Sequence, residues 1–493
     1  MPAGSCRFFF DWFFLPCYND FMSVKAKQID LGKDKIGRLI VRLAVPAVVA
    51  QIINLLYNLV DRMYVSGIRD VGTEALAGLG VVFPITLIVS AFANLVGLGG
   101  APLASIFLGE KKRGEAEKVF NAGFVLLILF GIVLTAAVLI FCEPLVRAFG
   151  APSSSFSYGR DYLFVYGIGT LFVMFSLGLN PFITAQGFSF TSMCTVLIGA
   201  VLNIGLDPIF IYVLDMGVKG AALATILSQA VSAAWAVCFF FRKNTAYHIR
   251  PRMFLPRLKT VGRILFLGLS PFIMSVTESA IQIVFNNTLT YWSGENSDYT
   301  AALTIMLSAI QMVCLPLNGL GSGVQPLVSY NYGRGDSERV RSTVKYVTIV
   351  ALCGSTAVWL LSLLAPQVYG YIFNASPSVM QIIKKYTPYF MAGTVMFFAQ
   401  MTLQNVFIAL NQAKISIFLA CLRKVILLIP LCFLLPYAFG AAGVFYSEGI
   451  ADAVAGIVTA VTFFVMLPRI LKKRETAVAA MRAESGTNII EKS

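Results

Sequence analysis

A chain of 493 residues that is 58% hydrophobic and only 13% charged is not a soluble globular protein, in which about a quarter of the residues are charged. Apolar segments of twenty or more residues recur along nearly the whole length, which leaves no room for a large soluble domain and predicts an all-α polytopic membrane protein. The net charge of +14 is no nucleic-acid footprint, because the basic residues fall in short loops between apolar runs. No nucleic-acid partner is expected.

The nine cysteines are scattered through apolar stretches, no Cys-x-x-Cys occurs, and the one histidine is His248 in a loop. The cysteines read as small apolar fillers, with no disulfide framework and no metal cluster expected. A membrane enzyme would need paired aspartates at a membrane face or a histidine–metal set, and neither pattern is present. The chain therefore does not read as an enzyme, and no cofactor is expected.

In chain order, residues 1–21 form a Phe/Trp cluster too short and interrupted to span, without the logic of a signal peptide. They are either an interfacial segment or untranslated sequence ahead of a start at Met22, and the second reading is favoured. Twelve spans follow, at about 37–63, 76–107, 117–142, 157–186, 190–214, 218–241, 260–290, 298–331, 341–364, 378–410, 414–436 and 440–468. The corresponding division is a leader and amphipathic lead-in at 1–36, a first lobe at 37–241, a linker at 242–259, a second lobe at 260–468 and a basic tail at 469–493. If both termini are cytoplasmic, the cytoplasmic segments from Met22 onward carry 28 Lys and Arg against 7 on the other side. That bias predicts a multi-pass protein of the cytoplasmic membrane with both termini and the 242–259 linker inside.

The chain also repeats itself. Gly97-Leu-Gly-Gly-Ala-Pro102-Leu103-Ala-Ser105-Ile-Phe-Leu-Gly109 is matched by Gly321-Ser-Gly-Val-Gln-Pro326-Leu327-Val-Ser329-Tyr-Asn-Tyr-Gly333, 224 residues later. Pro46 pairs with Pro271 and Gly220 with Gly443 at nearly the same shift. Six spans per half is an even number, so both halves enter the membrane from the same side. The prediction is two parallel-related six-helix lobes, a plan that commonly encloses a substrate cavity at the lobe interface. Close helix packing by the glycines is the simpler role of the repeated segments.

Span 5 holds Asn203-Ile-Gly-Leu-Asp207-Pro208. Asn203 and Asp207 share a helical face, and Pro208 has no N–H to give the carbonyl of Ile204. Carboxylate, carboxamide and freed carbonyl within one turn can hold a proton or a small hard cation. The plainer alternative is a buried acid that pins helix packing. In span 1, Gln51, Asn54, Asn58 and Asp61 recur at spacings of 3, 4 and 3, with Tyr57 one turn before Asp61. Such a stripe is costly against lipid and must face a cavity or another helix. Interhelical hydrogen bonding accounts for the asparagines as well as function does, whereas a lone carboxylate is poor glue. The repeat-related positions of Asp61 and Asp207 are Asn286 and Pro430, so the acid pair is not duplicated and ion coupling is expected in the first half. The second half has its own intramembrane charges in Glu278, Arg423, Lys424, Glu448 and Asp452. An internal ion-pair set is the expected reading, with Arg423 paired to Asp452 and Glu278 as a candidate substrate contact alongside Gln51 and Asn54.

Leu56-Tyr57-Asn58-Leu-Val-Asp61 with Pro46, the duplicated Pro-Leu-x-Ser-x-x-x-Gly segments and Asn203-x-x-x-Asp207-Pro208 together resemble the multidrug and toxic compound extrusion (MATE) family, over about residues 35–470. The resemblance implies a twelve-helix, two-lobed exporter that exchanges H⁺ or Na⁺ for amphipathic, often cationic, drug-like compounds. It implies a cation site at Tyr57, Asp61, Asn180, Asn203, Asp207 and Thr225, with Na⁺, if that is the ion, at Asp61, Asn180, Asn203 and Asp207. It also implies that the bend at Pro46 is the moving part. Relatives that carry sodium-binding acids in spans 7 and 10 are matched only by Glu278, since span 10 offers Gln400, Gln404 and Asn405. The alternative is a lipid-linked oligosaccharide or lipid flippase of related architecture, which would be expected to carry extra spans and a strongly basic cavity. A monomer in contact with membrane lipid is expected.

Overall fold

The computed structural model describes residues 30–69, 71–150, 152–294 and 297–490. The 1–21 segment, and with it the question of a start at Met22, lies outside the described residues. The described residues are 87% helical, with no strand among them. Twelve membrane helices succeed one another: α1 (Ile36–Ser66), α2 (Gly72–Gly109), α3 (Arg113–Ile140), α4 (Phe156–Thr184), α5 (Ser189–Pro208, continuing through Ile209–Val213), α6 (Gly217–Phe239), α7 (Leu258–Ser293), α8 (Ser297–Arg334), α9 (Ser337–Leu364), the broken α10 (Pro377–Phe390, Ala392–Met396, Phe398–Leu403 and Gln404–Ala409), α11 (Ala413–Cys421, Leu422–Leu428 and Ile429–Phe439) and α12 (Ala441–Ile490). Eleven are unbroken spans and α10 bends by 41°, in line with the twelve spans the sequence predicts. Their outward faces carry rows of exposed apolar side chains at helical spacing, as in Leu129, Ile132 and Val133 of α3 or Ile457, Val461 and Phe464 of α12. That is the surface of a protein solvated by lipid tails.

Each half has its own core, but the helices do not divide cleanly. Leu39, Ile40, Leu43 and Ala44 at the start of α1 are buried in the core built by α7–α12. Conversely, Ile264 near the start of α7 is buried in the core of the first half. Pro46 and Pro271, just beyond these segments, therefore mark where α1 and α7 cross from one lobe to the other. A proline removes one i→i−4 bond and makes a bend cheap at that point. The crossings are tight. A Cβ on Gly319 or Gly323 of α8 would sit 2.7 Å from the Cα of Val48 or Ala44, one on either side of Pro46. Gly99 of α2 and Gly268 of α7 meet backbone to backbone at the equivalent place.

The duplicated Pro-Leu-x-Ser-x-x-x-Gly segments have a structural explanation at both of their marked residues. Ser105 donates to the carbonyl of Ala185 (3.1 Å), and Ser329 donates to that of Ala409 (3.0 Å), 224 residues on in both partners. Gly109 lies on the backbone of Tyr330 and Gly333 on that of Ile106, so the two copies cross each other where α2 and α8 end. Here small residues let backbones approach closely, as membrane helix packing requires.

Three features are not visible in the sequence pattern. Short helices at Cys142–Ala148 and Gln367–Ile372 precede α4 and α10 in matching positions. Stretches of wider, π-type helix interrupt α5, α10 and α11. The expected tail from 469 onward is instead a direct continuation of α12. Arg474 on this extension bonds Glu110 at 2.5 Å, the carbonyl of Tyr332 at 2.9 Å and that of Gly333 at 2.8 Å. It thereby straps the ends of α2 and α8 together.

Gly109→Ala and Gly333→Ala are each expected to destabilise the purified protein by about 1–3 kcal/mol, because the added methyl meets backbone that cannot rotate away. Gly354→Ala, which faces open space, is expected to leave the midpoint unchanged or slightly raised. Thermal denaturation in detergent measures all three.

Candidate functional site

The site is built on α5. Its buried positions include Thr191, Thr195, Gly199, Asn203 and Asp207, a row at four-residue spacing that turns one polar face inward. Asn203 donates through Nδ2 to Oδ1 of Asp207 (3.2 Å) and lies 3.4 Å from Oγ1 of Thr225 on α6. The Thr225 hydroxyl gives its proton to the carbonyl of Ala221 (3.1 Å), which leaves its oxygen to accept from Asn203. Asp207 is 0% exposed. Beyond it Pro208 ends the regular ladder. The N–H of Ile209 reaches back only to the carbonyl of Leu206, and the next turn widens over Ile209–Val213. Tyr212 in this turn donates to the carbonyl of Tyr64 on α1 (2.6 Å), tying the outer parts of the two helices together.

α1 lies along α5 and brings the Asp61 carboxyl against that of Asp207. Tyr57 stands within electrostatic reach of both. Tyr162 on α4 closes the group, near Asp61 and in hydrogen-bonding relation to Thr225. Oδ1 of Asp61, Oδ2 of Asp207 and Oδ1 of Asn203 are buried and accept no hydrogen bond from the described residues. Neither acid takes part in an ion pair among those residues. Arg62, next to Asp61 in sequence, lies over the ring of Phe83 at 4.6 Å. Unpaired polar oxygens are costly in a low-dielectric interior, and two facing carboxylates cannot both stay ionised without a proton or cation between them. The donor set is all oxygen, which suits a proton or a hard cation rather than a soft metal.

Five of the six residues expected at a cation site thus come together: Tyr57, Asp61, Asn203, Asp207 and Thr225. Asn180 does not join them. It sits near the C-terminal end of α4 and donates to the carbonyl of Ser192 (3.2 Å). Asp207 is fifteen residues further along α5 than Ser192, about 22 Å at the rise of an α-helix. The physical reason is antiparallel packing: the end of α4 lies beside the beginning of α5, not beside its end. The same reasoning brings in a residue the sequence reading missed, Tyr162 near the start of α4.

The other candidates are placed as follows. Gln51 and Asn54 are half-buried on the α1 stripe, where Asn58 donates to the Asn54 carbonyl (2.6 Å). Pro46 lies on the same helix at the crossing into the second lobe. Glu278 is paired with Lys424, so its charge is already met, although 42% of its side chain is open. Arg423 is buried and bonds Asp452 at 2.5 Å, the partnership the sequence predicts. The repeat-related Asn286 and Pro430 supply no second acid pair.

The MatE family profile matches residues 46–209 and 271–434, two segments that begin 225 residues apart, like the internal repeat. The chain is 26% identical over 424 residues to the multidrug export protein MepA of Staphylococcus haemolyticus, covering 86% of this chain and 92% of that one. It is 22% identical over 442 residues to MepA of Staphylococcus aureus, covering 89% and 96%. Its fold is similar, with a TM-score of 0.83 at 24% identity, to that of a multidrug resistance MATE family transporter of the MOP superfamily solved in an outward-facing conformation. That likeness covers 90% of this chain and 98% of the other.

Asn203→Ala is expected to cost about 0.6–2 kcal/mol of stability, the range of a hydrogen bond between membrane helices or to a charged group, and to weaken ion binding. Asn180→Ala is expected to leave ion binding untouched. Thermal denaturation with and without the bound ion, run on both variants, checks the contrast.

Proposed function

The chain belongs to the MatE family, and from that premise we propose that it is a cation-coupled antiporter exporting amphipathic, often cationic, organic compounds in exchange for H⁺ or Na⁺. Efflux transport is the activity of the family and excludes an enzymatic reading. The names of the relatives support drug-like substrates. The proposed setting is the cytoplasmic membrane, with both termini inside and the chain working as a monomer among lipids. The 28-to-7 distribution of Lys and Arg supports that orientation.

The observation that carries the coupling is the meeting of Asp61 and Asp207 on two different helices, each with a buried oxygen that no described group satisfies. In this reading a proton or Na⁺ arriving from outside neutralises the pair. With the charge removed, α1 packs more closely on α5, and the strain is taken up at Pro46, where α1 crosses into the second lobe. The inner part of α1 is held by α8 through Gly319 and Gly323, so a change in its outer part alters how the lobes meet. In this reading drug held between the lobes beside Gln51 and Asn54 then loses affinity and leaves outward. The ion shifts this equilibrium only by its different affinity for the two packings of α1. In the second lobe, Glu278 is a candidate substrate contact only when Lys424 gives it up.

Asp207→Asn tests the reading. The amide is nearly isosteric, still accepts from Asn203, and mimics the neutral acid. It neither releases a proton nor offers sodium a full charge. Efflux driven by either gradient is expected to fall to background per correctly inserted molecule, with the fold retained. Wild-type efflux under both gradients would make Asp207 a packing residue.

A further inference from the structure

The second lobe holds five charged side chains in one contiguous group at membrane depth. Arg423 and Lys424 sit in the π-type turn Leu422–Leu428 of α11, which turns two consecutive cations inward, where both are buried. Arg423 donates through Nε to Asp452 (2.5 Å) and through Nη2 to Glu448 (3.4 Å), both on α12. Lys424 is bonded to Glu278 on α7. From α8 the thiol of Cys314 faces the group, and from α11 the thiol of Cys432 faces Glu448. From α10 the described contacts are those of Phe397, whose ring lies 5.3 Å from the Arg423 guanidinium, and of Gly393 against Asp452. The count is three carboxyl groups against two cations, one negative charge in excess where an uncompensated charge is costly.

The excess is localised by the hydrogen bonds. Asp452 has the short charge-assisted bond from Arg423, and Glu278 has Lys424 to itself. Glu448 has only the long contact to Nη2, and its Oε2 is buried and accepts nothing from the described residues, with the whole residue 5% exposed. We propose that Glu448 is a proton-binding site of the second lobe, its Oε2 carrying the proton that makes the five-residue group neutral. A carboxylic acid turns one acceptor oxygen into a hydroxyl, which removes the surplus charge without another ligand. A metal cation would need several more oxygens and would sit beside the Arg423 guanidinium, and no group of three or more Asp, Glu, His or Cys suited to a metal occurs among the described residues. The repeat adds weight from a separate direction. With Gly220 matched to Gly443, Glu448 falls on the position of Thr225, the α6 member of the first-lobe site. The two lobes thus place these two polar side chains at equivalent positions of the repeat.

The assignment stands apart from the roles given to Asp61 and Asp207, and its test removes both. Purified full-length Asp61→Asn/Asp207→Asn protein is titrated upward from about pH 6, above the range in which ordinary carboxyl groups ionise, while its infrared spectrum is recorded. A carbonyl-stretch band of a protonated carboxyl group is expected to disappear reversibly as pH rises, to be absent when Glu448→Gln is added, and to return at a shifted frequency with Glu448→Asp. Growth on glutamate with a ¹³C side-chain carboxyl is expected to move the band in the double variant itself, which separates glutamate from Asp452, and Glu448→Asp, whose band the label leaves in place, singles out position 448 if Glu448→Gln does not fold. A band that survives Glu448→Gln, or does not move on glutamate labelling, or is missing at every pH at which the protein stays folded, would overturn the proposal.

Discussion

Two carboxylates brought face to face, Asp207 fully buried and Asp61 with its Oδ1 buried, are the constraint on which the rest of this structure depends. Asp61 and Asp207 come from helices far apart in sequence, and neither is paired with a cation among the described residues. Keeping both ionised in that place is unfavourable, so the closed arrangement of α1 against α5 is conditional on something neutralising them. The surrounding groups are oriented to that end. Asn203 donates to Asp207 and is itself positioned by Thr225, and the widened turn after Pro208 delivers Tyr212 to the backbone of α1. In the proposed reading this packing contact depends on a bound proton or cation.

The crossing of α1 and α7 between lobes gives such a local event a long reach. Were each lobe a closed bundle, a change at Asp61 would stay in the first lobe. Because Leu39 to Ala44 are part of the second lobe's core, α1 is shared, and Pro46 is the weakest point of the shared helix. Gly319 and Gly323 of α8 meet α1 at Val48 and Ala44, on either side of that proline, and in the proposed reading the outer part of the helix moves relative to this contact. At the other end of the molecule, the crossing of Gly109 and Gly333 and the strap from Arg474 hold α2 and α8 together. Opening the opposite way requires those contacts to separate.

Much of this was legible in the sequence because membrane helices expose their constraints. Polar residues at spacings of 3 and 4 on α1, and Asn203 with Asp207 one turn apart, stand out in apolar surroundings that exclude them unless they are used. The duplicated Pro-Leu-x-Ser-x-x-x-Gly segments announced the repeat, and their serines make the same bond in both halves. What failed was depth. Asn180 has the right residue type on a neighbouring helix, but antiparallel packing puts it a helix length from Asp207 and puts Tyr162 there instead. Counting residues from the ends of spans 4 and 5 would have separated the two. The crossing of α1 and α7 and the π-type turns carry no local signature, since both arise from which helices the chain packs against. The excess carboxyl at Glu448 lay between these cases: the charges were visible, but their pairing was not.

The central claim is that neutralising the Asp61–Asp207 pair changes the packing of the outer part of α1. Spin labels at Met63 and Tyr291, exposed near the outer ends of α1 and α7, report that motion as a distance distribution in protein reconstituted into lipid. The account predicts a shift in the distribution when the coupling ion is supplied, by acidification or by sodium, and no shift in protein carrying Asp207→Asn. An unchanged distribution under both ions, in wild-type protein that transports under the same conditions, would contradict it.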